Sequence, residues 1–84
     1  MNESLFTNAL RPRPDDLFKP GTQNERLYRR LLEGPVTNGE IIYQMRIANS
    51  TGRASDVRKA LRPYLMDVEA RRIYRGLWQY RLRG

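Results

Sequence analysis

The chain has 84 residues, 30% of them charged, a net charge of +7, and neither cysteine nor histidine. That length fits one small domain with a modest core. The missing residue types exclude disulfides, thiolate metal sites and the commonest general base, and no two carboxylates read as an acid–base pair, so neither catalysis nor a cofactor is expected.

Residues 1–21 read as a flexible leader. They hold three of the five prolines (Pro12, Pro14 and Pro20), and their apolar residues follow no period. Leu17 and Phe18 are the candidates for docking on the domain. RPRP has the composition of a minor-groove arm, but Asp15 and Asp16 follow it directly and argue against that role. Removing Met1 to Arg13 is expected to leave folding intact. The opening MNESLFTNALRPRP lacks the basic-then-apolar order of a signal peptide, and no apolar run is long enough to span a membrane. A soluble, cytoplasmic protein is expected.

The domain is expected to occupy residues 22–84. Thr22 and Glu25 form a capping box that starts a helix over 23–33. Leu27, Leu31 and Leu32 make its buried stripe, with Tyr28 at the edge. Gly34 is expected to end it in a left-handed cap, and Pro35 forbids continuation. Thr37 and Glu40 repeat the box for a short helix over 38–45, with Val36 stapled on Ile41. Ile41, Ile42 and Met45 are available to the core, and Ile47 lies beneath the turn that follows.

A third helix is expected over 50–62, capped by Asn49, Ser50 or Thr51. Ala54, Val57 and Leu61 face inward at i, i+3, i+7, leaving Arg53, Ser55, Asp56, Lys59 and Arg62 outside. Pro63 stops the helix. The period then changes to two, giving strands over 67–73 and 77–82. A loop of Tyr74, Arg75 and Gly76 pairs Val68 with Leu82, Ala70 with Tyr80 and Arg72 with Trp78, gathering the apolar set on one face. The other face then holds Glu69–Arg81, Arg71–Gln79 and Ile73–Leu77. Trp78 and Tyr80 are expected in the core, with stacking on bases as the alternative.

Acids and bases cancel over residues 1–44, whereas residues 45–84 carry ten bases against three acids. A polyanionic partner is the natural reading. Three helices followed by a hairpin define an α+β winged helix-turn-helix, whose third helix enters the major groove. Ser50, Thr51, Arg53, Ser55, Asp56, Arg58, Lys59 and Arg62 are the candidate DNA contacts on that helix. Arg53 suits guanine, while Arg58, Lys59 and Arg62 suit phosphate. Asp56 either accepts from cytosine or orients Arg53 or Lys59. Gly52 is either a close-approach glycine or a plain turn glycine. Arg71, Arg72 and Arg75 are the candidate contacts on the wing.

The run GTQNERLYRRLLEGPVTNGEI, then SDVRKAL and a closing YRL, resembles small winged helix-turn-helix proteins encoded by bacteriophages and prophages. The resemblance covers Thr22 to Leu82. It implies that fold, double-stranded DNA as partner and a regulatory role, with no catalytic residue. An architectural, excisionase-like DNA-bending factor and a module docking an acidic protein are the rival readings. A homodimer fits a single short recognition helix.

Overall fold

Residues 11–84 are described by the computed structural model, and the first of them already depart from the expected leader. Pro14–Leu17 form a single helical turn, α1, whose Asp16 carboxylate accepts from the Arg13 amide at 3.0 Å. Pro12 is buried, and its carbonyl accepts the Tyr28 hydroxyl at 2.8 Å. Phe18 tilts against the Tyr28 ring with centroids 5.9 Å apart, so Phe18 docks as expected. The domain boundary therefore moves back from residue 22 to about Pro12. The part of the expected leader over 1–10 lies outside the described residues.

Helix α2, Gln23–Glu33, begins with the Thr22 hydroxyl accepting from the Glu25 amide at 3.3 Å. The returning carboxylate bonds Gly21 at 3.4 Å rather than Thr22. Leu27 and Leu31 are buried as expected, and Tyr28 belongs with them at the centre rather than at the edge. Burial raises the Tyr28 phenol above its ordinary pKa. Gly34 ends the helix at φ 142°, ψ −174°. This is not the left-handed cap expected but a conformation open essentially to glycine alone.

Val36–Thr37 form a short strand, β1, that the sequence pattern did not announce. It pairs with Tyr80 and Gln79. Thr37 and Glu40 make the full capping box, with bonds of 3.1 and 3.4 Å. The helix it starts widens into a π-turn over Glu40–Gln44, α3, closing through Met45 N to Glu40 O at 3.0 Å. The chain then reverses through Arg46 at φ 58° and buries Ile47.

Helix α4, Ser50–Leu61, is capped by Asn49, whose side-chain oxygen accepts from Gly52 N at 2.9 Å. A Cβ at Gly52 would collide with that carboxamide, so the cap itself favours glycine here. Ala54, Val57 and Leu61 face the core as expected. A 3-10 turn, Arg62–Tyr64, follows, and Leu65 closes it in the left-handed conformation at φ 57°.

Strands β2, Asp67–Tyr74, and β3, Leu77–Arg83, form the expected hairpin. Val68–Leu82, Ala70–Tyr80, Arg72–Trp78, Glu69–Arg81 and Arg71–Gln79 pair in the register expected from the apolar faces. The tip differs. A bulge between Arg72 and Tyr74 sets Tyr74, not Ile73, opposite Leu77 and shortens the turn to Arg75 and Gly76. Gly76 supplies φ 75° there. The antiparallel sheet has the order β1-β3-β2. Among the described residues the protein is thus a small α+β domain, four helices with a three-stranded antiparallel sheet, compatible with a winged-helix-like arrangement. None of these helices is long and apolar enough to cross a membrane.

Candidate nucleic-acid interface

Many arginines are consumed by the fold. Arg26 donates to the Met45 carbonyl at 2.7 Å and so closes the end of α3. Arg30 reaches the carbonyls of Gly34 and Pro35 and pairs with Glu40 at 3.3 Å, locking the turn between α2 and α3. Arg29 pairs with Glu25 and Asp15. Arg81 and Arg83 converge on Glu69, at 2.8 and 3.0 Å. The hydrogen bond from Arg81 is the main reason the Glu69 carboxyl is held below its ordinary pKa.

Other cations remain free. Among the described residues, no hydrogen bond or ion pair holds the side chains of Lys59 and Arg62 at the end of α4, or of Arg71, Arg72 and Arg75 on the hairpin. All five are exposed. Between the helix and the hairpin runs an open groove of about 510 Å³, lined by Asn38, Thr51, Ser55, Arg58, Ala70 and Trp78. Of the α4 residues expected at a DNA surface, Thr51, Ser55 and Arg58 share this concavity with the hairpin, whereas Ser50, Arg53, Asp56, Lys59 and Arg62 do not line it.

Individual candidates divide. Thr51 and Ser55 are exposed in the groove. Arg53 pairs with Asp56 at 3.1 Å, and Asn24 of α2 donates to the same carboxylate at 3.4 Å. Asp56 thus holds Arg53 rather than Lys59. Ser50 is a correction: its side chain is buried in the first turn, because Asn49 takes the exposed capping position. Arg58 also departs from expectation. Its guanidinium pairs with Asp67 at 2.8 Å and donates to the Val68 carbonyl, fastening α4 to the base of β2.

Trp78 and Tyr80 separate as well. Tyr80 is core, but Trp78 is 40% exposed and faces the groove. The apolar face of the hairpin extends beyond the helices that cover it, so the Arg72–Trp78 pair lies past the core's edge.

Asn38 had no assigned role in the sequence. Its amide donates to the Gly76 carbonyl at 3.0 Å, and its oxygen accepts from the Trp78 amide at 3.0 Å. One side chain at the start of α3 thereby clamps the hairpin turn. No sequence signal could have identified it, since its partners lie 38 and 40 residues away.

Comparison with known proteins gave no match to a family model, to a curated protein or to a solved structure.

Proposed function

We propose that this chain is a winged helix-turn-helix protein that binds double-stranded DNA sequence-specifically and regulates transcription, in the manner of the phage and prophage proteins it resembles. Helix α4 enters the major groove, and the β2–β3 hairpin is a wing on the adjacent backbone. One observation carries this reading: Thr51 and Ser55 share a groove with the hairpin, and α4 and the hairpin each carry exposed cations that have no partner among the described residues. Arg53, aimed by Asp56, supplies base readout. Lys59, Arg62, Arg71, Arg72 and Arg75 supply phosphate contacts, which position the protein but carry no sequence information directly. Such a role belongs in the cytoplasm.

Trp78 is the sole tryptophan and lines this groove, so its fluorescence reports the proposed contact directly. The test is selection of bound duplexes from a random pool, followed by titration of Trp78 emission. An enriched motif that quenches Trp78 supports the reading, and a palindromic motif supports a homodimer. Failure to bind any duplex overturns it and favours an acidic protein partner. Salt-sensitive binding without a motif favours the architectural role.

A further inference from the structure

The tip of the hairpin carries apolar surface that neither the core nor base readout by α4 uses. Tyr74 is 74% exposed and Ile73 is 49% exposed. The bulge between Arg72 and Tyr74 produces this arrangement, since Ile73 has no cross-strand partner and Tyr74 takes its place opposite Leu77. Bulges re-aim side chains and are treated as designed features of a strand. The following turn, Arg75 and Gly76, is only two residues long and keeps the tip narrow.

The surroundings of these two side chains identify what they meet. Arg71, Arg72 and Arg75 bracket them, none has an anionic partner among the described residues, and the sequence has no acid after Glu69. A surface so charged meets a polyanion. On duplex DNA the apolar environment open to a protruding aliphatic and an aromatic side chain lies between the stacked bases.

We propose that Ile73 and Tyr74 form a wedge that enters the minor groove, parts a base step and bends the duplex. The inference rests on the DNA-binding reading and goes beyond it, because phosphate contacts by a wing require no apolar tip. Flanking arginines hold the phosphates on either side while the wedge unstacks the step. A flexible pyrimidine–purine step is the preferred point of entry, because it costs least to kink.

The experiment uses the full chain and a duplex with a central TA step, dye-labelled at both ends. Anisotropy measures binding, and energy transfer between the ends measures bending. A 2-aminopurine at the TA step brightens when the step unstacks. The wild-type chain is expected to bend the duplex by about 20–90° and brighten the probe. Ile73→Ser/Tyr74→Ser should still bind through the arginines but lose the bend and the brightening. Ile73→Leu/Tyr74→Phe should keep both. A bound but straight duplex, or an unchanged bend with the double serine variant, overturns the wedge while leaving DNA binding standing. No binding in the anisotropy titration, on this duplex at low salt and on the random pool alike, overturns the DNA-binding reading itself.

Discussion

Replacing Asn38 with alanine isolates the clamp between α3 and the hairpin. The side chain donates to the Gly76 carbonyl and accepts from the Trp78 amide, both at 3.0 Å, and accepts locally from Gly39 at 3.0 Å. A net hydrogen bond contributes about 0.5–1.5 kcal/mol. Both hairpin partners lie at exposed residues and regain water, which places each bond near the lower end. The two bridging bonds together contribute about 1–2 kcal/mol. In a domain of this size that lowers Tm by about 4–16 °C. Thermal melting followed by circular dichroism reads the total, and amide exchange at Trp78 reads the clamp itself. Asn38→Asp keeps the acceptor bonds, loses the donor and sets a carboxylate beside the Gly76 carbonyl, so it should fall between alanine and wild type. An unchanged Tm in Asn38→Ala, with Trp78 exchange also unchanged, would refute the clamp.

Tyr28→Phe should cost about 1–3 kcal/mol in urea denaturation, because the buried Pro12 carbonyl loses its donor. A chain begun at residue 14 should be less stable than one begun at residue 11 by a similar amount; equal stability of the two would contradict the docking. Leu65→Gly should raise stability by about 0.5–1 kcal/mol, since a 90% exposed leucine at φ 57° packs little and is strained. A loss of stability would mean that the leucine contributes a contact. For Glu69, whose folded pKa lies below the ordinary value, the stabilising pairing with Arg81 and Arg83 is present above the unfolded pKa, near 4.5, and lost as pH falls through the folded one. Glu69→Gln should therefore melt below wild type at neutral pH and together with it in strong acid; a gap that persists in acid would refute this origin.

The pairs Thr22/Glu25 and Thr37/Glu40 and the spacing of Ala54, Val57 and Leu61 marked the three helices because caps and periodicity are local. The hairpin register was also legible. Only the observed pairing puts Val68, Ala70, Tyr80 and Leu82 on one face, and a slip by one residue would turn them outward. What stayed hidden depends on distant partners. Val36–Thr37 is too short to show a period and becomes a strand only beside Tyr80 and Gln79. Pro12 is buried with its carbonyl accepting from Tyr28, and no pattern in RPRP says so. The bulge at Ile73 broke the strict alternation assumed for β2. At the candidate site, composition found the cations but could not separate the free ones from those the fold uses. Arg58 reads like Lys59 in sequence, yet Asp67 and Val68 hold only the former.

The central claim divides reading from gripping, and a salt series on paired duplexes measures both. Affinities of wild type, Arg72→Ala/Arg75→Ala and Arg53→Ala are compared on a selected site and on a scrambled one. Each lost phosphate contact removes close to one unit of salt slope, so the wing double variant should weaken binding to both duplexes alike and flatten the slope by about two units. Arg53→Ala should cost about 1–3 kcal/mol on the selected site and much less on the scrambled one. If Arg53→Ala weakens both duplexes equally while the wing variant changes sequence preference, the roles of α4 and the hairpin are reversed. If no substitution changes affinity or slope, the basic face does not bind DNA.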